Sequence, residues 1–288
     1  MQRRNFIKQL SIATMSAITL SNLKTAVSSI GGEKIKMPVL FIGHGSPMNA
    51  IEDNIYTEGW KSIAGNLPLP KAILCISAHW QTKGTQVTFM EKPETIHDFG
   101  GFPEKLFQTQ YPAPGSPEYA GKTINAIHKT TVAKNMDWGL DHGTWSILLP
   151  MFPKANIPVF QLSMDYTQPP QYHYELAAEL KALREEGVLI VGSGNIVHNL
   201  GMMRLDNKAY DWNKEFDSTI RKYISVGDHK SIINYDKLGQ VAKLAVPTNE
   251  HYLPLLYALG ASEKAEAFSF YNEDSQLGSV SMTSVKIG

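Results

Sequence analysis

The chain has 288 residues, of which 43% are hydrophobic, enough for a sizeable core in one large domain. Its 27 basic side chains balance its 27 acidic ones, so nothing in the charge indicates a nucleic-acid partner. The only cysteine, Cys75, excludes an intramolecular disulfide and a cysteine-based zinc site, and its apolar surroundings predict core packing.

The chain opens with a basic pair, Arg3 and Arg4, followed by a modestly apolar stretch from Leu10 to Leu20. This stretch is too short and too polar to span a bilayer comfortably. The pattern is typical of a twin-arginine export signal, so we predict a leader at residues 1–36, export machinery as its partner and a periplasmic location. A basic leader without a transport role, on a cytoplasmic protein, is the alternative.

From residue 37 onwards, apolar runs alternate with helical patterns. Runs rich in β-branched residues predict inner strands at 38–42, 72–77, 86–90, 158–163 and 188–192, and two final strands at 265–271 and 279–287. The spacing of apolar residues predicts helices at 53–64, 117–128, 170–185, 210–224 and 251–259. The alternation predicts an α/β fold in a single domain, residues 37–288, with a mostly parallel or mixed sheet between two layers of helices.

Two segments, 91–117 and 228–250, are predicted as long loops. Long loops in a compact domain are usually functional or disordered. The first contains aromatic residues, histidine and aspartate, which favours a functional role.

Several of the nine histidines follow directly after predicted strands. His44 and His79 end the first two strands, His198 lies a few residues beyond the fifth, and His251 begins a predicted helix. Because the carboxyl ends of parallel strands meet at one edge of a sheet, we expect these imidazoles to converge on one metal or one substrate. A hydrogen-bonding cap or a surface position is the alternative for each of them taken alone. The remaining histidines in helical or polar segments are expected to be solvated: His128, His173 and His229.

A site built from imidazoles without thiolates suits Zn(II), Fe(II), Mn(II) or Cu(II). Two carboxylates adjoin histidines, Glu250 beside His251 and Asp141 beside His142. Each could bind the metal or orient an imidazole from outside. Other motifs are missing: there is no G-x-S-x-G elbow and no Walker loop, and the glycine-rich segment 192–201 lacks the third glycine of a dinucleotide loop.

Long blocks of the sequence resemble the 4,5-DOPA-extradiol-dioxygenase group of the class III extradiol ring-cleavage dioxygenases, the LigB-like proteins. The blocks are MPVLFIGHGSPMNAIEDN, ISAHWQTKGTQVT, IHDFGGFPEKLFQTQYPAPGSP, GLDHGTWSILLPMFP, GSGNIVHNL and EHYLPLLYALGA. The resemblance extends over residues 37–288. It implies a LigB-like α/β fold and an oxidoreductase that inserts both atoms of O2 into a catechol-type aromatic such as 4,5-DOPA.

The resemblance also implies a metal site. His44 and His79 match ligands, and His198 and His251 match metal-binding positions of the group. In the wider class the third ligand is a glutamate and a histidine near the His198 position is the acid/base, so His198 is either a ligand or a proton shuttle. His142 resembles a histidine of the class that lies beside the metal ligands without binding the metal. His142 and His198 are therefore the expected catalytic residues. The implied cofactor is one divalent metal per chain, Fe(II) for activity or Zn(II) as bound, with O2 as co-substrate.

Within the first long segment, we expect His97, Asp98 and Phe99 to contact the substrate, with Phe102 completing the wall. A packed loop without a binding role is the alternative. Two other functions stay open for the same scaffold: a zinc-dependent hydrolase and a metal-binding protein without turnover. The sequence does not predict the oligomeric state.

Overall fold

The computed structural model describes residues 36–206 and 208–288. Its contacts group Lys36–Gly288 as one unit. Apart from Lys36, the predicted leader lies outside the described residues, so the export signal stays a prediction. No helix of the described residues has both the length and the apolar character needed to cross a membrane.

The described residues form twelve strands and ten helices, apart from short 3₁₀ turns. The strands are β1 (Val39–Gly43), β2 (Ala72–Ser77), β3 (Gln81–Thr82), β4 (Thr85–Thr88), β5 (Val132–Asn135), β6 (Val159–Gln161), β7 (Met164–Asp165), β8 (Val188–Gly194), β9 (Phe268–Tyr271), β10 (Ser275–Gln276), β11 (Val280–Ser281) and β12 (Ser284–Ile287). The helices are α1 (Ile55–Gly65), α2 (Glu104–Phe107), α3 (Pro117–Ala126), α4 (His142–Met151), α5 (Pro170–Ala178), α6 (Lys181–Glu185), α7 (Asp211–Ser225), α8 (His229–Ile233), α9 (Gln240–Ala245) and α10 (Leu253–Gly260). Three 3₁₀ turns lie at Pro47–Ala50, Leu200–Met202 and Tyr235–Leu238.

A six-stranded sheet in the order β6-β2-β8-β1-β12-β9 forms the centre of the fold. The first four strands are parallel, whereas β12 and β9 join antiparallel, so the sheet is mixed. In the parallel register Gly43 lies opposite Gly194 and Ser77 opposite Ser193. The strands β1, β2 and β8 therefore end in line, and the segments that follow them begin at one edge of the sheet.

Helices cover both faces of this sheet. On one face Val39 and Phe41 pack with the apolar residues of α5, α7 and α10. On the other face Leu40 and Ile42 pack with α1 and α4. Successive side chains of β1 thus enter opposite cores, which explains why its sequence is an uninterrupted apolar run. The predicted three-layer α/β domain with a mixed sheet is confirmed.

The prediction of an inner strand at 86–90 was wrong. Strand β4 pairs with β5 in a separate two-stranded sheet. An isolated backbone bridge, with Ser163 N donating to the Gln86 carbonyl at 2.8 Å, joins β4 to the residues that follow β6. Two hydroxyl groups add to it: Gln161 N donates to Thr88 Oγ1 at 2.9 Å, and Gln86 N donates to Ser163 Oγ at 2.8 Å. This bridge and the side-chain hydrogen bonds hold β4 beside the main sheet but outside its strand order.

Three further differences concern helices. The segment 228–250 is not a loop but contains α8, a 3₁₀ turn and α9. The predicted helix 170–185 is divided into α5 and α6. Helix α4 was not predicted, because most of its residues are buried and it has no polar face to give a helical pattern.

Candidate metal centre

Five histidines meet at the carboxyl edge of the parallel strands. His44 follows β1, His79 follows β2 and His198 follows β8, while His142 begins α4 and His251 precedes α10. The rings of His44, His79 and His251 lie 5.1–5.2 Å apart, centroid to centroid. The structure therefore brings together the four histidines singled out as ligands and adds His142 from the unpredicted helix.

Three of these rings form a group that fits a metal ion. One nitrogen each of His44, His79 and His251 lies within 4.8 Å of the other two. His44 Nε2 and His79 Nε2 face each other at 3.4 Å. Two nitrogens bound tetrahedrally to one ion at about 2.1 Å are about 3.4 Å apart, so the separation suits a shared ion.

Burial keeps these imidazoles neutral. It lowers the pKa of His44 and of His251 well below the usual value of 6.5, and neighbouring histidines lower both further. Burial is also the main cause that lowers the pKa of His79 to about 3 and the pKa of His198 to about 4. Neutral imidazole is the form that binds metals and accepts protons, so the site is prepared for both at neutral pH.

Outer contacts hold two of the grouped rings. His44 Nδ1 lies 3.0 Å from Ser193 Oγ on β8. His251 Nδ1 lies 3.1 Å from Glu250 Oε1, which also accepts a hydrogen bond from Thr248 Oγ1 at 2.9 Å. Such contacts orient a histidine and leave its other nitrogen for the metal. Glu250 thus sits where it can orient His251, and it also forms a close group with His198 and His251.

Asp98 links the first long segment to His142. Its Oδ2 lies 2.9 Å from His142 Nδ1 and 3.6 Å from His79 Nδ1, and its Oδ1 accepts the backbone N–H of His142 at 2.8 Å. Burial alone would raise the pKa of Asp98, but the contacts with His142 outweigh it and lower the pKa. A carboxylate in this position fixes the ring of His142 and leaves its Nε2 as the nitrogen available to a substrate.

Asp141, the other proposed carboxylate, lies beneath the start of α4. Its Oδ1 accepts the Thr144 N–H at 3.0 Å as the helix cap, and its Oδ2 accepts from Gln161 Nε2 at 2.6 Å. Burial is the main cause that raises its pKa. Both oxygens are therefore engaged in holding α4, whose first residue is His142.

Of the predicted substrate-contacting residues, Phe99 lies directly against the ring of His142. Phe99 packs edge-on against the His142 ring at 5.4 Å and against Phe102 at 5.4 Å. His97 Nε2 donates to the Thr109 carbonyl at 2.9 Å, which ties this ring to its own segment. Phe99 therefore borders His142, whereas His97 lies one layer behind it; their contact with a substrate stays a prediction.

Two glycines allow the segment that carries His251 to approach the sheet. A Cβ on Gly194 would lie 2.2 Å from the His251 carbonyl oxygen, and one on Gly192 would lie 2.3 Å from that of Pro254. The segment 192–194 is therefore glycine-rich because backbone packs directly on backbone there. This close approach explains the motif that only superficially resembled a dinucleotide loop.

Two expectations about other residues have different outcomes. His173 was expected to be solvated, but it is fully buried and its Nδ1 lies 3.0 Å from the Tyr257 hydroxyl. Cys75 is buried in the core as expected, and burial raises its thiol pKa.

Sequence reasoning missed Ser193, because a serine between two glycines gives no signal of its partner on another strand.

Comparison with known proteins agrees with this geometry. Residues 38–284 match the family described as the catalytic LigB subunit of aromatic ring-opening dioxygenase. The chain is 46% identical over 260 residues to the 4,5-DOPA dioxygenase extradiol of Escherichia coli (strain K12), which covers 88% of this chain and 95% of that protein. It is 37% identical over 252 residues to the protein of the same name from Beta vulgaris, covering 84% of this chain and 94% of that one.

The fold also has a solved counterpart. The crystal structure of an uncharacterized protein from Escherichia coli K12 matches with a TM-score of 0.77 and 42% sequence identity. The match covers 88% of this chain and 100% of the other.

Proposed function

Because this chain belongs to the family of the catalytic LigB subunit of aromatic ring-opening dioxygenases, we propose that its substrate is a catechol of the 4,5-DOPA type. The enzyme is a metal-dependent extradiol dioxygenase, which opens the ring beside the two hydroxyls and places both atoms of O2 in the product. The relatives from Escherichia coli and Beta vulgaris, both named for 4,5-DOPA, support this choice of substrate.

His44, His79 and His251 would hold the metal, since their nitrogens form the compact group described above. When bound, the ion supplies a centre that gathers the catechol and O2 and passes electrons between them. Zn(II) has no redox chemistry of its own, so we propose Fe(II) as the active metal, although three imidazoles would also bind zinc.

Two further histidines are placed to move protons. A catechol hydroxyl, like the tyrosine hydroxyl, keeps its proton at neutral pH, so the site needs a base. His142, held by Asp98 at 2.9 Å, and His198, whose pKa burial lowers to about 4, are both available as acceptors. We propose that one takes the proton as the catechol binds and that it is returned after the ring opens.

Aromatic side chains would enclose the ring of the substrate. Phe99 lies edge-on to His142 and in contact with Phe102, so it presents an apolar surface beside the proton acceptor. Such a wall favours a flat aromatic substrate and keeps bulk water from the reacting oxygens.

The observation that carries this proposal is the convergence of three neutral imidazoles beside two further histidines. It is tested by a single turnover of the Fe(II)-loaded protein with DOPA under ¹⁸O₂ and mass spectrometry of the product. Two labelled oxygens in a ring-opened acid support the proposal. Loss of DOPA to a quinone without labelled oxygen would overturn it.

The two other functions considered from the sequence have no support of this kind. A zinc hydrolase would turn over an amide or ester without O2, and a metal-binding protein without turnover would show neither activity. The family match favours the dioxygenase over both. Assays of the zinc-loaded and Fe(II)-loaded protein, with and without O2, separate the three functions.

We also propose that residues 1–36 direct the protein to the periplasm by twin-arginine export. The support is the Arg3-Arg4 pair, the short apolar stretch after it and a family match that begins only at residue 38. Cell fractionation tests this: the unaltered protein should be periplasmic and lose its leader, and a variant with Arg3→Lys and Arg4→Lys should stay in the cytoplasm. If the unaltered protein and the variant were found in the same proportions in periplasm and cytoplasm, the proposal would be contradicted.

A further inference from the structure

Ser193 lies between a metal-site histidine and the helix that carries His142. It is fully buried on β8. Its Oγ lies 2.5 Å from the Gly143 carbonyl oxygen in the first turn of α4, and 3.0 Å from His44 Nδ1. The three groups form a continuous chain from β1 through β8 to α4.

The direction of these hydrogen bonds follows from counting hydrogens. A carbonyl oxygen cannot donate, and a serine hydroxyl carries one hydrogen. That hydrogen must therefore lie between Ser193 Oγ and the Gly143 carbonyl. Ser193 Oγ can then only accept from His44, so the hydrogen of the neutral His44 ring lies on Nδ1.

We infer that Ser193 is a positioning residue that fixes the tautomer of His44. With its hydrogen on Nδ1, His44 must present a bare Nε2 lone pair, and this atom is the one that faces His79 Nε2 at 3.4 Å. The ring is thus held in the metal-binding form before any ion arrives. This inference rests on the metal centre of the proposed function, but not on the identity of the substrate.

The same contacts couple two parts of the site. The Gly143 carbonyl adjoins His142 in the chain, so Ser193 holds the start of α4 and the His44 ring together. A Cβ on Gly143 would lie 2.4 Å from Ser77 Oγ and 2.7 Å from His79 Cδ2, so no side chain separates α4 from the second histidine. Loss of the Ser193 hydroxyl should therefore loosen His44 without removing any residue that reaches the metal.

Helix α4 offers a matched control. Ser146 is also fully buried, and its hydroxyl has no hydrogen-bond partner among the described residues. Ser193→Ala and Ser146→Ala remove the same group from equally buried positions. A general effect of removing a buried oxygen atom should appear in both variants, whereas loss of the hydrogen bonds to His44 and Gly143 occurs only in Ser193→Ala.

The first test reads the tautomer in the metal-free, otherwise unaltered protein. Two-bond ¹H–¹⁵N correlation spectra distinguish Nδ1–H from Nε2–H rings, and a His44→Gln variant assigns the signals of His44. The Nδ1–H form is expected for His44. An Nε2–H form would overturn the inference. The tautomer is read in the unaltered protein, so this result does not depend on enzyme activity.

The second test measures the affinity for Co(II) by competition with a chromogenic chelator. Ser193→Ala should bind Co(II) about 10- to 100-fold more weakly, as expected on losing a contact that orients a ligand. Ser146→Ala should stay close to the unaltered protein. Equal affinity in the two variants would overturn the inference. Tight Co(II) binding by a protein whose Fe(II)-loaded form does not cleave the ring would instead count against the proposed function, so the two failures are distinguishable.

Discussion

The rings of His198 and His251 stack face to face, with centroids 3.5 Å apart and planes inclined by 7°. An imidazole binds a metal in the plane of its ring, at about 2.1 Å. An ion in the plane of His251 is then about 3.5 Å out of the plane of His198, too far for both rings to bind it. With His251 grouped with His44 and His79, the stacking favours His198 as the proton acceptor.

Replacing His198 should therefore separate metal binding from turnover. We expect His198→Gln to keep its metal but to lower kcat by about 100- to 10,000-fold, the usual contribution of an acid/base group. His251→Gln is the comparison and should lose the metal. Metal content by mass spectrometry and kcat are measured on both. If His198→Gln lost its metal as fully as His251→Gln, His198 would be a ligand.

Asp98 should affect turnover through His142. Asp98→Asn keeps an oxygen that accepts the backbone N–H of His142. It loses the negative charge beside His142 Nδ1, so the His142 ring is less well oriented. We expect kcat to fall by about 10- to 100-fold with the metal retained. Glu104→Gln changes an exposed acid of the same segment and should leave kcat unaltered. A rise in KM alone would instead indicate that Asp98 binds the substrate directly.

Gly194 should not accept even one added methyl group. Its Cβ would meet the His251 carbonyl at 2.2 Å, and backbone atoms in a buried strand cannot yield. Gly194→Ala should lower the free energy of unfolding by about 2 kcal/mol and weaken metal binding. Gly65→Ala is the control, because no atom beyond its own helix backbone and chain neighbours lies within 4 Å of its added Cβ. Urea unfolding measures the free energy of unfolding of both variants. Equal losses of stability in the two variants would contradict the account.

Stability at acid pH should depend on the pair formed by Arg184 and Glu266. Burial would raise the pKa of Glu266, but hydrogen bonds from the buried Arg184 at 2.7 and 2.8 Å outweigh it and lower the pKa to about 2. A lowered pKa means that the ionised form is favoured in the folded state. Its contribution is therefore complete above the usual pKa of 4.5 and is lost as the pH falls towards 2.

Glu266→Gln should cost about 3 kcal/mol at neutral pH, because it leaves Arg184 buried without its charged partner. The difference in the free energy of unfolding between the variant and the unaltered protein should be smaller at about pH 3. Urea unfolding at neutral pH and at about pH 3 measures this difference. Glu263→Gln removes the exposed neighbour and should not change the unfolding midpoint. If Glu266→Gln lost the same amount of stability at both pH values, the account would be contradicted.

The central strands and the histidines that follow them could be predicted from the sequence. The strands β1, β2 and β8 are buried on both faces, which requires apolar runs, and each run ends at a polar or glycine-rich segment. Parallel strands carry their next residues to one edge, so the convergence of His44, His79 and His198 followed from the order of elements alone.

The partners of His44 and His142 could not be predicted. His142 and Asp98 are 44 positions apart, and His44 and Ser193 are 149 apart, so only the tertiary fold joins them. Helix α4, which places His142, is buried on nearly every side and carries no helical pattern of polar residues. The stacking of His198 on His251 likewise joins residues 53 positions apart that only the tertiary fold brings together.

The measurement that tests the central claim most directly is oxygen consumption by protein reconstituted with Fe(II) without air and then given DOPA in air-saturated buffer. The account predicts one O2 consumed per DOPA, together with the yellow absorbance of a ring-opened semialdehyde. His44→Gln, treated in the same way, should consume none. Absence of oxygen uptake by fully Fe(II)-loaded protein, while the zinc form stays stable and tightly loaded, would contradict the account.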